Sequence, residues 1–162
     1  MRVALLAGLL WLSGCASQTR TLATDCLAEG EPRLAGQFAL VVEQQQRAHR
    51  LLIASQWQQG QLQLVGFNPV GAKLFQGRLE KGRVTVDTTR LYRGPAVESL
   101  LWGLLIHQLR DTLPACWPSV QLETKAGVLS LRQGDKLIYS AVVPNRFTLP
   151  VEEVSVRLKR LD

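Results

Sequence analysis

From residue 36 to residue 89 the chain falls into strand-like runs of seven to ten residues, the run from Gln61 to Phe67 alternating apolar with polar, and short polar or Gly-containing turns divide them. Successive side chains of a strand point to opposite faces, so such runs bury one face of a sheet and wet the other. Residues 36–43, 49–58, 61–67, 72–79 and 83–89 read as five strands. Between them lie Gln44-Gln45-Gln46-Arg47, Gln59-Gly60, Asn68-Pro69-Val70-Gly71 and Lys81-Gly82. Connections this short cannot cross over to a parallel partner, which makes the five strands an antiparallel meander.

The meander is interrupted once. Gly94-Pro95 breaks the alternation, and Pro suits a first helical turn. Residues 96–113 then carry helical spacing and stop before Pro114. Val97, Leu101, Leu104 and Leu105 make one apolar face, and Trp102, Ile106, Leu109 and Leu113 make much of another. A surface helix needs one stripe, so this one is expected to be covered on both sides. Gly103, His107 and Gln108 interrupt it, and the run is too short to span a bilayer. Strands resume at about 119–124, 127–133 and 136–143, and residues 154–159 alternate cleanly. The expected fold class is mainly β: a bent antiparallel sheet or open β-barrel of roughly nine strands, with a helical lid or plug. An imperfect plug would leave an apolar cavity in the sheet's mouth.

The N-terminus reads as a leader outside this fold. Arg2 is followed by an apolar run at residues 3–12, about half the ~20 residues of a membrane span. Leu12-Ser13-Gly14-Cys15 has the form of a lipobox, in which the Cys15 thiol takes a diacylglycerol and cleavage leaves it as the new N-terminus. An ordinary secretory leader ending near a cysteine is the alternative. Each buried methylene adds about 0.8 kcal/mol of membrane affinity, so two or three acyl chains anchor durably. Ala16 and Ser17 follow in place of the Asp that holds bacterial lipoproteins at the inner membrane, which resembles the outer-membrane class. The organisation expected is a leader at 1–14, a lipidated tether at 15–35 with room for a short helix, and one domain at 36–162.

Charge and chemistry-bearing residues narrow the function. The formal charge is +6, and losing Arg2 with the leader makes it +5. That excess suits an anionic membrane surface but is too weak and too scattered for nucleic acid. With Cys15 lipidated, Cys26 and Cys116 remain. In an oxidising periplasm they are expected to pair, worth on the order of 4 kcal/mol by the chain-entropy model, with two buried thiols as the alternative. His49 and His107 have no ligand-spaced neighbours, so neither a metal nor another cofactor is expected. Ser99 and His107 are eight residues apart on one helix, Glu152-Glu153 read as a solvated pair, and there is no G-x-S-x-G. An enzyme is therefore not expected.

Several of these segments occur in a recognisable order. A G-x-F-A strand (Gly36 to Ala39), a Gln-rich turn, the Trp57-Gln58 pair and Asn68-Pro69-Val70-Gly71 lead the chain. Pro144-Asn145-Arg146-Phe147-Thr148-Leu149 and the basic strand Val154-Ser155-Val156-Arg157-Leu158 close it. Together they resemble the outer-membrane lipoprotein receptor family LolB, whose fold is an open β-barrel capped by helices. The chain is shorter than typical members in its central lid and C-terminal half. It is closer to LolB-like lipoproteins, some encoded beside aryl polyene synthesis genes. The resemblance implies an apolar residue after Asn-Pro, here Val70, that touches the membrane during acyl transfer; plain turn filling is the alternative.

The function expected is then a lipid-anchored protein on the periplasmic face of the outer membrane. It would bind lipid or acyl chains in an apolar cavity and place a lipoprotein or lipid-like product in the membrane, with a LolA-like periplasmic carrier as a possible donor. Leu101, Trp102, Leu105, Ile106 and Leu109 are the expected cavity lining, with Phe38, Leu40 and Phe75 beside them and core packing as the alternative for each. A structural lipoprotein that recruits a partner, with an apolar patch and no cavity, is the competing class.

Overall fold

The computed structural model describes residues 31–112, 117 and 119–161. In chain order the elements are β1 (Gly36–Gln44), β2 (Arg47–Gln58), β3 (Gln61–Phe67), β4 (Lys73–Glu80), β5 (Arg83–Thr88), α1 (Val97–Leu109), β6 (Val120–Lys125), β7 (Val128–Gln133), β8 (Lys136–Val143), β9 (Arg146–Leu149) and β10 (Val154–Arg160). A 3-10 turn, Pro150–Glu152, joins the last two strands. All ten strands form one antiparallel sheet in the order β5-β4-β3-β2-β1-β10-β9-β8-β7-β6.

The meander of β1 to β5 and that of β6 to β10 are joined along β1 and β10, the first and last strands. Leu40 faces Leu158 and Val42 faces Val156 across that seam. Their side chains turn to the same buried face, as the period of two requires. The sheet is not closed: β5 and β6 are its free edges, and α1 is the chain that connects them.

α1 packs on β4 and β5 in one wing and on β8 and β9 in the other. Five strand spacings of about 4.8 Å separate β4 from β9, more than twice the ~10 Å width of a helix. One helix can touch both wings only if the sheet curls around it. The mainly β, bent-sheet architecture expected from the alternation is the one observed. Every residue of α1 from Leu100 to His107 is buried, as a helix covered on both sides requires. Two glycines set its depth. A methyl group on Gly77 of β4 would stand 2.4 Å from Leu101 Cδ1, and one on Gly103 of α1 would stand 2.6 Å from Phe147 Cε2 of β9.

Three details differ from the sequence reading. There are ten strands rather than nine; the addition is β9, which sends Phe147 and Leu149 into the core. The helix begins one residue later and ends at Leu109 instead of reaching 113. Arg110 Nη1 donates to the His107 carbonyl at 2.8 Å and Thr112 Oγ1 to that of Leu109 at 3.1 Å, satisfying the last turn early. Residues 31–35, read as the end of a tether, are docked on β2. Leu34 is buried, Ser55 Oγ donates to its carbonyl at 2.6 Å, and Trp57 Nε1 donates to the Glu31 carbonyl at 3.0 Å. The leader, Cys15, Cys26, Leu113 and Cys116 lie outside the described residues.

Candidate functional site

The eight residues expected to line a cavity come together. Phe38 and Leu40 on β1, Phe75 on β4, and Leu101, Trp102, Leu105, Ile106 and Leu109 on α1 belong to one buried apolar cluster. They occupy the space between helix and sheet, and each is packed as core. Trp102 stacks at a tilt on Trp117, ring centroids 5.9 Å apart, and its indole Nε1–H is buried with no hydrogen-bond acceptor among the described residues. An orphaned donor in an apolar interior is a polar cost that a carbonyl-bearing guest would relieve.

Beneath the far end of α1 sits a polar group that periodicity alone does not reveal. His107 is only 2% exposed. Its Nε2 lies 2.5 Å from the Pro144 carbonyl and its Nδ1 2.7 Å from the Tyr139 hydroxyl. A carbonyl only accepts, so Nε2 donates to it and Nδ1 accepts from Tyr139: the neutral tautomer. Burial holds the His107 pKa below its ordinary value; the Pro144 hydrogen bond opposes that, and Arg110 adds to it. Burial likewise pushes the Tyr139 hydroxyl well above its ordinary range. The Phe147 ring lies 5.1 Å from the imidazole and 5.6 Å from the Tyr139 ring. The group ties α1 to β8 and to the turn that follows it. Ser99, nearer the helix's start, donates to Glu152 Oε1 at 2.9 Å, which fastens that end to the 3-10 turn and places Ser99 beside a carboxylate rather than an imidazole.

Val70 stands apart from the core, 87% exposed at the tip of the β3–β4 connection. The turn beneath it is built from its own sequence. Gly71 N donates to the Asn68 carbonyl at 2.9 Å, while Asn68 Oδ1 accepts from Val70 N at 3.2 Å and Ala72 N at 2.8 Å. Pro69 fixes the second position and Gly71 takes φ +86°, so the tip is held while its apolar side chain faces outward.

Beside this turn opens a cleft of about 410 Å³ that the sequence did not point to. A β-bulge makes its floor. Gly66 pairs with Phe75 and Phe67 with Lys73, so Leu74 is an extra residue on β4. The bulge breaks the period of two, so that the neighbours Leu74 and Phe75 are both buried in the core cluster, and Leu74 also lines the cleft. Thr89 N secures it by donating to the Leu74 carbonyl at 2.8 Å. Leu51 of β2 joins the floor, and Pro69 forms a wall with Leu91 and Tyr92 of the loop before α1. Tyr92 is fixed at both ends: its ring meets the Phe75 ring edge-on at 5.6 Å, and its hydroxyl donates to the Pro95 carbonyl at 2.6 Å. Burial raises its pKa far above the ordinary value. His49, Arg50 and Arg93 supply the polar part of the wall. The bulge was hidden because pairing, not composition, defines it.

No curated protein and no solved structure matches the chain. A family model does match, over residues 37–141, a span that runs from the second residue of β1 into β8 and takes in α1 and the whole cleft. The chain belongs to that family, described as a protein of unknown function, DUF3261.

Proposed function

We propose that this protein is an outer-membrane lipoprotein that takes lipid or acyl chains between α1 and the curled sheet and places them in the membrane without making or breaking a bond. The observation that carries the reading is α1 itself: a helix buried on all sides from Leu100 to His107, connecting the two free edges of a sheet that does not close. Such a helix is held by side-chain packing and by the few side-chain hydrogen bonds of Ser99 and His107, whereas the strands are held by a ladder of backbone hydrogen bonds. It is the part that can yield to a guest, and the driving force is apolar burial, roughly 25 cal/mol per Å². The rigid turn that presents Val70 supports a membrane-touching role. The resemblance to LolB-like lipoproteins supports a Cys15 anchor on the periplasmic face, lipoprotein or lipid-like cargo, and a LolA-like carrier as donor.

The test uses the chain from residue 15 with Cys15→Ser, carried to the periplasm by a cleavable secretory leader in place of residues 1–14. Native mass spectrometry is expected to find a bound acyl mass, and Leu105→Trp, which crowds the packing between helix and sheet, to lose it. Absence of bound lipid, together with no uptake of an added fluorescent fatty acid, overturns the reading. Val70→Glu is expected to keep its cargo but deliver it to liposomes several-fold more slowly. Delivery at the unsubstituted rate would remove the membrane-touching role.

A further inference from the structure

The cleft beside the Val70 turn combines an apolar floor with a cationic wall. Leu51 and Leu74 lie at its base, Leu91 stands 64% exposed at its side, and Arg50 and Arg93 are both exposed at its edge. His49 adds a third nitrogen-bearing group, and no described wall residue is acidic. Neither arginine has an ion-pair partner among the described residues. Arg50 comes from β2 and Arg93 from the loop before α1, so the two cations reach the cleft's edge from different elements and not from a sequence run. A guanidinium presents a planar fork of donors that matches the oxygens of a carboxylate or phosphate.

We infer that this cleft is a headgroup site for an anionic amphiphile: a carboxylate or phosphate held by Arg50 and Arg93, with the first carbons of its chain over Leu51, Leu74 and Leu91. The inference rests on the acyl-handling reading and deepens it by naming the class of cargo. Leu51 and Leu74 link the two places, since both floor the cleft and both belong to the buried cluster around α1. A head at the cleft leaves its chain beside the interior that α1 fills.

Binding is measured with the chain lacking residues 1–14 and carrying Cys15→Ser, by calorimetry and by backbone amide shifts. The probes are dodecanoate, the neutral monododecanoyl glycerol of the same chain length, and inorganic phosphate. Dodecanoate is expected to bind about tenfold more tightly than the neutral ester, the size of two exposed ion pairs acting together. The advantage should shrink with added salt, and the amides of Arg50, Leu74 and Arg93 should shift. Arg50→Gln with Arg93→Gln is expected to erase that tenfold and leave the ester's affinity unchanged. Phosphate that shifts the same amides supports an oxyanion site open to free anions; shifts with dodecanoate alone support a lipid head. Equal affinity for acid and ester, or a double variant that keeps the preference, overturns the headgroup site while the acyl-handling reading stands. Loss of all chain binding with phosphate still seated in the cleft overturns that reading and leaves the oxyanion site. No binding of any probe overturns both.

Discussion

His107 shows how a single residue can serve the fold and carry a readable signature. It is enclosed by Phe147, Tyr139 and the Pro144 carbonyl, with Arg110 nearby, and it is held neutral. In the unfolded chain its pKa is about 6.5; in the folded chain burial depresses it. Above pH 6.5 both states are neutral and the His107 network contributes fully. As pH falls below that value, the unfolded state binds a proton that the folded state resists, so stability declines until the folded pKa is passed. His107→Gln is expected to cost about 1–3 kcal/mol at pH 7.5, because it leaves buried partners unmatched. It should also flatten the difference in urea midpoint between pH 5 and pH 7.5. A variant that keeps the parent's slope would show that another group sets it. Gln45 and Gln46 make a contrasting case at the same scale. Both hold positive φ, 48° and 65°, in the β1–β2 hairpin, a conformation usually given to Asn and Gly. The polar Gln run marks the turn, but its strained geometry could not be read from residue types that normally avoid it.

At the scale of elements, what was legible followed period and punctuation. β1 to β5 came from alternation between short turns, and α1 from Gly94-Pro95 followed by helical spacing. β9 was missed because four residues between Pro144 and Pro150 carry barely two alternations. The early end of α1 was missed because Arg110 and Thr112 satisfy its carbonyls through side chains. The buried cluster was legible as residues, since apolar side chains on a common face must meet; the cleft was not, since its walls come from β2, the β3–β4 turn and the loop before α1, which only the fold brings side by side. Glycine contacts show how tightly these elements are fitted. A methyl group on Gly66 of β3 would stand 2.2 Å from Phe75 Cζ, with two more atoms of that ring within 2.6 Å. The ring cannot retreat freely, because Tyr92 meets it edge-on. At Gly77 the clash is with one terminal carbon of Leu101, which can rotate. Gly66→Ala is therefore expected to destabilise by about 1–3 kcal/mol, the usual cost of overpacking. Gly77→Ala should cost less. Urea denaturation of the two variants checks the order, and a larger loss at Gly77 would mean that Leu101 is as confined as Phe75.

On the scale of the whole molecule, the two meanders share a seam at β1 and β10, while α1 closes the gap that their outer edges leave open. Stability should therefore be unequal. Amides of β1 and β10 are hydrogen-bonded on both sides in the middle of a ten-stranded sheet and can exchange only when the seam opens. Amides of α1 depend on contacts with two wings that are not paired to each other. If an acyl chain enters between helix and sheet, the apolar volume it occupies must come from α1, because interiors are already close-packed. Hydrogen exchange on the chain lacking residues 1–14 and carrying Cys15→Ser tests this directly. Without ligand, α1 should exchange slowly, though faster than β1 and β10. With saturating dodecanoate, residues 97–109 and the loop before them should exchange several-fold faster, and the seam should not change. Protection that rises in α1 on binding would mean that the guest stays in the cleft and tightens the loop. Acceleration spread over the whole sheet would mean that the meanders separate as the chain enters. Only faster exchange confined to α1 makes the helix the moving part of a carrier whose sheet stays intact.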